Sequence, residues 1–173
     1  MIEYARQRLA ADPSILFVRR VVTRAAVASA EDHVSMDPAD FAAAEASGAF
    51  AVCWDAHGLR YAIPASALAH VRTGGIAVIN GSRTALPALQ ETFGRMLTIH
   101  VSVRSEILAA RLAARGRESA SEILQRLQRA NIEMPGAGAV LQIDNSSDLR
   151  TAGERFLDAL RSPPTGSHGL MEL

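Results

Sequence analysis

Residues 76–82 of the chain read Ile-Ala-Val-Ile-Asn-Gly-Ser, an apolar run that ends in polar and small residues. Four consecutive apolar residues are typical of a strand buried on both faces. Gly81-Ser82 can open the helix that follows, and Gly94 can close it. Polar residues directly after a buried strand are typical of the ligand-binding edge of a parallel sheet. The stretch therefore predicts an α/β fold.

Segments typical of strands and helices alternate along the rest of the chain, with a polar loop predicted from Arg24 to Ser35. The predicted strands are 15–22, 50–55, 60–63, 76–80, 96–101 and 140–143. The predicted helices are 2–10, 38–47, 65–72, 82–93, 104–115, 119–130 and 148–160. Residues 56–59 predict a hairpin or a tight loop between two strands. This alternation indicates a mainly parallel sheet covered by helices on both faces.

The composition argues against several classes of function. The formal net charge is zero, which gives no support for a nucleic-acid-binding face, and no apolar run approaches the roughly 18 residues of a membrane span. The N-terminus has no apolar signal core and Cys53 is the only cysteine, so we expect a cytoplasmic protein without an internal disulfide. All 18 basic residues of the sequence are arginine, so these 173 residues provide no lysine ammonium group for a catalytic mechanism.

The strongest candidate site is rich in arginine. Residues 111–119 read Arg-Leu-Ala-Ala-Arg-Gly-Arg-Glu-Ser, and Arg126 follows on the next predicted helix. Arg111 and Arg115 lie one helical turn apart, so their guanidinium groups can converge, and Arg117 follows a glycine at which the segment can hinge. Several arginines around a mobile joint suit phosphoryl transfer, whose transition state spreads negative charge over several oxygens. A solvated helical hairpin with ordinary charges explains the same pattern about as well.

A second candidate site lies in the predicted hairpin. Residues 57–64 read His-Gly-Leu-Arg-Tyr-Ala-Ile-Pro, and Thr23-Arg24 ends a preceding strand. The hydroxyl group of Tyr61 and the guanidinium group of Arg24 can both hold a phosphate of an acceptor substrate. Taken alone, this stretch is explained more simply by a half-buried strand tyrosine and a surface arginine.

Other sequence patterns give little indication of a functional site. His33 and His57 lack the spacing of metal ligands, so no metal site is predicted. The glycine-rich residues 136–139 precede a predicted strand instead of following one, so they are interpreted as a turn and not as a dinucleotide fingerprint. Three further residues are interpreted as core or strand residues: Cys53, Trp54 and His100.

Six stretches of the sequence, which span roughly residues 2–160, occur in the order that one enzyme family shows. They are Arg19–Arg24, Gly48–Phe50, His57–Pro64, Asn80–Arg83, Leu112–Ser119 and Ile143–Ser146. Together they resemble the guanylate-kinase-like group of P-loop kinases. Within that group the chain resembles the ribose 1,5-bisphosphate phosphokinases of phosphonate catabolism, which make 5-phosphoribosyl diphosphate.

The resemblance implies a P-loop kinase-like parallel sheet with helices on both faces. The implied organisation is a single domain at 1–161, with an acceptor-binding region at about 24–64, a lid at about 115–130 and a disordered tail at 162–173. The implied substrates are ATP with Mg²⁺ and a small-molecule sugar phosphate. No nucleic-acid or membrane partner is implied, and a homodimer is one of the oligomeric states left open.

The resemblance also implies a role for each matching residue. Three residues match lid arginines that close over the transferred phosphoryl group and act in catalysis: Arg111, Arg115 and Arg126. Five residues lie where the family binds its acceptor: Arg24, Tyr61, Asn80, Ser82 and Arg83. Two residues lie at the ATP site, the second of them in the loop that meets adenine: Arg117 and Asn145.

Two differences separate the chain from guanylate kinases. Members that recognise guanine carry a carboxylate shortly after the Gly-x-Phe turn, where this chain has Val52 or Cys53, and an aspartate near the position of Asn80. A buried carboxylate accepts the ring N–H donors of guanine, so its replacement removes base recognition. The segment around Glu31 to His33 is shorter than in guanylate kinases, which leaves His33 as a candidate acceptor contact.

A further difference concerns the start of the sequence. We expect the family to begin with a strand and a Gly-x-x-x-x-Gly-Lys loop ahead of the first helix, whereas Met1 falls inside that helix. We therefore expect either a start placed late, at a downstream methionine, or a chain with impaired catalysis. Because the missing strand belongs in the sheet interior, we also expect two exposed strand edges.

The leading hypothesis is ATP-dependent phosphorylation of ribose 1,5-bisphosphate, in which the 1-phosphate attacks the γ-phosphate of ATP·Mg²⁺ in line. One alternative is a guanylate kinase or another small-molecule kinase. The other alternative is a non-catalytic kinase-like binding module, which the absence of lysine favours.

Overall fold

The computed structural model of the chain describes residues 1–24, 33–94, 96–115, 139–162 and 169–172, and these residues form two sheets. The larger sheet is entirely parallel and has the order β1 (Ile15–Phe17), β6 (Ile76–Asn80), β9 (Gly169–Glu172), β7 (Met96–Ser102) and β8 (Ala139–Asp144). The smaller sheet is mixed and has the order β3 (His33–Ser35), β2 (Arg20–Val22), β5 (Leu59–Pro64) and β4 (Phe50–Ala56).

Six helices and a single 3₁₀ turn at Arg83–Ala85 connect the strands within the described ranges. The helices are α1 (Ile2–Arg8), α2 (Pro38–Ala46), α3 (Ala65–Arg72), α4 (Leu86–Phe93), α5 (Ser105–Arg115) and α6 (Leu149–Arg161). Asp37 caps α2 by accepting from the backbone N–H of Ala39 at 2.8 Å, ahead of a proline in the first turn. Asp148 caps α6 in the same way through Thr151.

The larger sheet is covered by helices on both faces. Ala77 and Ile79 of β6 pack with α3 and α4 in one buried cluster, whereas Val78 packs with α1 and α6 in another. Successive side chains of a strand point to opposite faces, so this alternation places one helical layer on each side of the sheet. The predicted α/β class and the helices on both faces are confirmed.

The predicted strand 15–22 is wrong in one respect, because two sheets share it. Residues 15–17 pair with β6, whereas residues 20–22 pair with β5 and β3. The exposed Arg19 lies at the crossing between them. The loop predicted up to Ser35 is also wrong at its end, since His33–Ser35 form a strand against β2. An apolar run carries no signal for which of two sheets each half will join.

The end of the chain differs from prediction as well. The tail was expected to be disordered and the sheet interior to have two exposed edges, but Gly169–Glu172 form a strand between β6 and β7. The predicted helix 119–130 and residues 163–168 lie outside the described residues. The predicted hairpin is confirmed, with His57 and Gly58 at positive φ in its two-residue turn. Among the described residues, none of the helices has both the length and the apolar character of a membrane span.

Candidate active site

Three parallel strands end at one edge of the larger sheet, and polar residues lie at each end. β6 ends at Asn80, β7 at Ser102 and β8 at Asp144. Ser102 and Asp144 are paired in the ladder, so the ends of β7 and β8 are level. Ligands of open parallel sheets bind beyond this edge. Residues contributed by several segments of the chain therefore meet there.

The loop after β8 is held by hydrogen bonds to its neighbours. The backbone N–H of Asn145 donates to the carbonyl oxygen of Ser102 at 2.8 Å. The hydroxyl oxygen of Ser146 accepts from the backbone N–H of Arg104 at 2.8 Å. Ser146 in turn donates to the carboxylate of Asp144 through its hydroxyl and its backbone N–H, and these bonds lower the pKa of Asp144. The loop is thus fixed before any ligand arrives.

Arg111 of α5 completes this arrangement. One terminal guanidinium nitrogen donates to the carbonyl oxygen of Asn145 at 2.7 Å, and the other donates to that of Ser147 at 3.1 Å. Leu112, which is 3% exposed, anchors the same helix in the protein interior. The structure therefore brings together Arg111, which the resemblance implied as a lid arginine, and Asn145, which it implied at the ATP site.

The side chain of Asn145 has an acceptor atom without a hydrogen-bond partner among the described residues. Its side-chain oxygen Oδ1 is buried and accepts no hydrogen bond from any residue in the described ranges. A buried amide oxygen without a donor is uncommon and costly in a folded protein. Such an atom suits a ligand that brings an N–H donor, for example the exocyclic amino group of adenine.

The residues after β6 lie near His100 of β7. The hydroxyl groups of Ser82 and Thr84 share a hydrogen bond of 2.8 Å at the start of the 3₁₀ turn. Burial, and then the positive charge of Arg83, lower the pKa of His100. Asn80 lies exposed at the end of β6, so the three predicted acceptor residues of this segment follow one another at a single edge.

One face of the smaller sheet carries Tyr61 among aromatic and basic neighbours. The Tyr61 ring is stacked on that of Trp54, with centroids 5.4 Å apart and planes 12° apart. The guanidinium carbon of Arg20 lies 5.8 Å from the centroid of Tyr61, within the range of a cation–π contact. Trp54 also packs against the buried cluster that contains Ala77 and Ile79. This face, which we call the aromatic face, is therefore the one turned toward the larger sheet.

Two buried nitrogen atoms belong to residues of the aromatic face and have no partner among the described residues. They are Nε1 of Trp54 and Nδ1 of His33. His33 is paired with Arg20 in the ladder, so the two residues lie side by side on the sheet. The sequence left His33 only as a candidate contact and treated Trp54 as a core residue.

Arg24 lies just beyond the end of β2. Thr23 fixes the turn before it, since its hydroxyl oxygen accepts from the backbone N–H of Arg60 at 2.8 Å. The side chain of Arg24 is exposed and makes no hydrogen bond or ion pair within the described part of the chain. The structure thus places Arg24 near the hairpin that carries Tyr61 but does not join the two side chains.

The opposite face of the smaller sheet has a structural role. Arg60 donates to both carboxylate oxygens of Glu45 at 2.8 and 2.9 Å, which ties β5 to α2. Cys53 lies on this face, near Val21 and Phe41. Burial, together with a hydrogen bond to Glu45, raises the pKa of Cys53 to about 11. A thiol that stays protonated is a poor nucleophile, so Cys53 is not a candidate for covalent chemistry.

The predicted lid is described only at its beginning. Arg115 is the last residue of α5, but the structure does not describe its side chain. Arg117 and Arg126 also lie outside the described residues. The predicted convergence of the lid arginines stays a prediction. The described ranges contain no group of three His, Cys, Asp or Glu residues placed to hold a metal ion.

Three residues near the candidate site were not predicted from the sequence: Arg20, Trp54 and His100. One of them had a usable signal. A two-residue turn at 57–58 sets residue 56 opposite 59, so counting back along the hairpin puts Trp54 opposite Tyr61, as observed. Arg20 could not be assigned to a face, because its strand was read as a continuation of β1.

Comparison with solved structures defines the fold. The guanylate kinase of Anaplasma phagocytophilum matches with a TM-score of 0.62 and 17% identity, over 96% of this chain and 84% of that one. At this identity the match establishes the fold alone: the chain has a guanylate-kinase-like α/β fold. None of the protein-family models searched matches the sequence.

Curated relatives define the family more narrowly. A protein of Agrobacterium fabrum is 39% identical over 161 residues, covering 93% of this chain and 88% of the relative. A Chelativorans protein is 44% identical over 165 residues, covering 93% and 78%, and one of Rhizobium etli is 41% identical over 160 residues, covering 92% and 81%. All three carry the name ribose 1,5-bisphosphate phosphokinase. The chain belongs to the family of ribose 1,5-bisphosphate phosphokinases.

Proposed function

We propose that this chain is a phosphotransferase with the activity that the names of its curated relatives state. It would convert ribose 1,5-bisphosphate to 5-phosphoribosyl diphosphate with ATP·Mg²⁺. The observation that carries the proposal is identity of 39 to 44% to three relatives of that name over at least 92% of the chain. The single unpaired cysteine agrees with a reducing cytoplasm, where both substrates of the proposal are metabolites.

We assign the acceptor to the aromatic face and the adjoining edge of β6. A sugar bisphosphate has anionic groups at both ends and no base, so it requires cationic and hydroxyl donors at two places. Arg24 and Tyr61 are proposed to hold one phosphate, and Arg20 joins them because it lies over the Tyr61 ring. Ser82 and Arg83, which follow Asn80 at the end of β6, are proposed to supply donors to the other phosphate of the acceptor. Arginine suits this task because its guanidinium group binds phosphate in a bidentate manner.

The loop after β8 is assigned to the nucleotide. The unpartnered Oδ1 of Asn145 would accept from the adenine amino group, and Arg111 holds the loop in place through two backbone carbonyl groups. In this arrangement Arg111 acts first as a positioning residue. Its predicted part in closing over the transferred phosphoryl group, together with Arg115 and Arg126, belongs to the same proposal, as does the predicted place of Arg117 at the ATP site.

Guanine is a poor fit to the aromatic face. Val52 is 6% exposed and packs in the buried cluster below Trp54, and Cys53 lies on the opposite face of the sheet. Neither residue offers an acceptor to the ring N–H groups of guanine. An unpaired buried donor costs a ligand far more binding energy than a missing apolar contact. The proposal therefore favours a sugar phosphate over a guanine nucleotide as acceptor.

The chemical step requires little from the protein besides placement and charge. An oxygen of the 1-phosphate forms a bond to the γ-phosphorus of ATP while the bond from that phosphorus to the β–γ bridging oxygen breaks. ADP leaves, and the new diphosphate group stays on the sugar. Because the second pKa of a phosphate monoester is near 6, the attacking oxygen is already ionised at neutral pH. Arginines that neutralise charge on the transferred group are the expected catalysts.

The direct test is an assay with ATP, Mg²⁺ and ribose 1,5-bisphosphate, followed by ³¹P NMR. Formation of ADP together with a sugar-linked diphosphate supports the proposal. Guanosine monophosphate serves as the matched acceptor and should give no product. Transfer to guanosine monophosphate but not to the sugar bisphosphate would contradict the proposal.

A second candidate function is a binding module without turnover. The printed residues contain no lysine, whereas P-loop kinases use a lysine to reach the transferred phosphate. Calorimetry with ATP and with ribose 1,5-bisphosphate separates the two cases. Binding of both ligands without turnover would favour a module that keeps the sites, and binding of neither would favour a pure interaction module.

A further inference from the structure

A row of four side chains crosses the aromatic face of the smaller sheet from one edge strand to the other. In the strand order β3, β2, β5 and β4, the row is His33, Arg20, Tyr61 and Trp54. His33 is level with Arg20, and Tyr61 is level with Trp54. The contact between Arg20 and the Tyr61 ring joins the two pairs. Beside the row, the same face carries buried apolar residues: Val22, Val52 and Ile63.

The indole N–H of Trp54 is a donor that lacks an acceptor within this row. Its Nε1 is buried and has no hydrogen-bond partner among the described residues. The Tyr61 ring is stacked on the indole, and the buried cluster against which Trp54 packs is apolar. An indole nitrogen donates but does not accept, so its partner must be an oxygen atom. A buried donor without a partner is costly, and a ligand that brings an oxygen atom removes this cost.

We propose that Trp54 is a specificity-determining residue of the acceptor site, and that its indole N–H donates to a hydroxyl group of the ribose ring. This inference rests on the proposed function. The phosphate groups have charged donors, which are stronger partners for an anion than a neutral N–H. A neutral donor is better matched to the neutral part of the acceptor, which is the sugar ring.

The position of Trp54 agrees with a contact to the ring. Arg20 is assigned to one phosphate and belongs to β2, whereas Trp54 lies on β4, two strand spacings or roughly 10 Å away. Trp54 also packs against residues of β6, the strand whose end is assigned to the other phosphate. The ribose ring of the acceptor joins its two phosphate groups. Trp54 therefore lies on the side of the row where the ring is expected.

Stacking on Tyr61 makes Trp54 suitable for discrimination between acceptors. The two ring planes are 12° apart, so the indole is held in one orientation before the acceptor binds. An acceptor without the matching hydroxyl group would leave the N–H unpaired again. Sites that hydrogen-bond a substrate hydroxyl group reject the analogue that lacks it. The contact would thus select a ribose over a deoxyribose acceptor.

The first experiment removes the N–H and leaves the shape of the side chain. Trp54 is the only tryptophan of the sequence, and it is replaced in the full chain by 3-benzothienylalanine, which has a sulfur atom in place of the N–H. We expect the dissociation constant for ribose 1,5-bisphosphate, measured by calorimetry, to rise about 3- to 10-fold. The matched control is 5-fluorotryptophan at the same position, which keeps the N–H and should leave this constant unchanged. ATP binding should be unchanged in both proteins.

The second experiment identifies the bond with the 2-deoxy and 3-deoxy analogues of the acceptor. The unmodified protein should bind one of the two analogues about 3- to 10-fold more weakly than ribose 1,5-bisphosphate. For that analogue, replacement of the N–H should have no further effect, because both changes remove the same hydrogen bond. If Trp54 acted only through packing or through a phosphate, its replacement would weaken all three acceptors by the same factor.

The two experiments also separate this inference from the proposed function. If the unmodified protein binds ribose 1,5-bisphosphate, the role of Trp54 alone is overturned by either of two results: an unchanged affinity after removal of the N–H, or an equal loss for all three acceptors. If the unmodified protein binds none of the three, the proposed function is contradicted and the role of Trp54 is overturned with it.

Discussion

The loop after β8 and the aromatic face of the smaller sheet prepare for ligands in opposite ways. In the loop, backbone and side-chain groups from Asp144 to Ser147 are bound to neighbouring segments, and Arg111 secures two of its carbonyl groups. On the aromatic face, the order comes from ring stacking between Trp54 and Tyr61, and buried nitrogen atoms lack partners in the described structure. One region is set by hydrogen bonds and the other by packing.

The two regions should therefore respond differently to substitution. A loop fixed by directed bonds loses its shape when one donor is removed, because every bond depends on the others. A stacked face keeps its shape when a polar group is removed but loses the charge or donor that a ligand would use. Substitutions in the loop should therefore act through position, and those on the aromatic face through direct contact.

The largest effect is expected at Arg20. Arg20→Ala should weaken the binding of ribose 1,5-bisphosphate roughly 10- to 100-fold, because a hydrogen bond to a charged group contributes about 1.5–3 kcal/mol. ATP binding should be unchanged, and calorimetry with each ligand measures both. Arg72→Ala, at the exposed end of α3, is the matched control and should change neither. An unchanged affinity for the sugar bisphosphate in Arg20→Ala would remove Arg20 from the acceptor site.

A somewhat smaller effect is expected at Arg111. Arg111→Ala frees the carbonyl groups of Asn145 and Ser147, so the dissociation constant for ATP should rise about ten-fold. Arg111→Lys keeps the charge but cannot donate to both carbonyl groups in the same geometry, and should fall between. A variant that binds ATP normally but turns over more slowly would show that Arg111 acts on the transferred group and not on the loop.

Trp54 tests the packing of the aromatic face. Trp54→Phe removes a buried N–H that has no partner in the described structure, a group that costs about 1–3 kcal/mol when unsatisfied, and it keeps an aromatic ring over Tyr61. Since the smaller ring also loses contacts, we expect the free energy of unfolding to stay equal or to rise by up to about 1 kcal/mol. Trp54→Leu loses the stacking, worth about 0.5–1.5 kcal/mol, and should destabilise. Equal destabilisation by both variants in urea unfolding would contradict this interpretation.

The smallest effect concerns pH and His100. Its pKa in the folded protein is lowered below the usual 6.5, so the unfolded chain takes up a proton at this residue first. Stability should therefore be greatest above about pH 6.5 and fall as the pH decreases from there toward the lowered folded value. Asp144, whose pKa is lowered from 3.8, acts only in a more acidic range. The fall in melting temperature between pH 7.5 and 5.5 should be smaller in His100→Gln, and an identical fall would exclude His100 as its source.

Helices and strands that are marked by a local sequence pattern could be predicted from the sequence. The strand at 76–80 and the helix at 65–72 have the predicted bounds, because a short apolar run and a glycine stop each act within a few residues. The division of residues 15–22 between two sheets depends on partners far along the chain, such as β5 and β6. The position of β9 likewise depends on two distant strand edges, which four residues of sequence do not reveal.

The candidate site shows the same limit. Tyr61 and Asn145 could be named as candidates because they lie in short stretches that resemble one family. The bonds that Arg111 makes were not predictable, because their acceptors are main-chain carbonyl groups 34 and 36 residues away. A carbonyl group has no signature in the sequence, so only the path of the chain brings donor and acceptor together.

The most direct test of the division between the two regions is a pair of NMR titrations of the ¹⁵N-labelled chain. Ribose 1,5-bisphosphate alone should shift the indole N–H of Trp54 and the backbone signals of Arg20 and Tyr61, while ATP·Mg²⁺ alone should shift those of Asn145 to Ser147. If the sugar bisphosphate leaves the aromatic face unchanged, or if both ligands shift the same residues, the assignment of acceptor and nucleotide to separate regions is wrong.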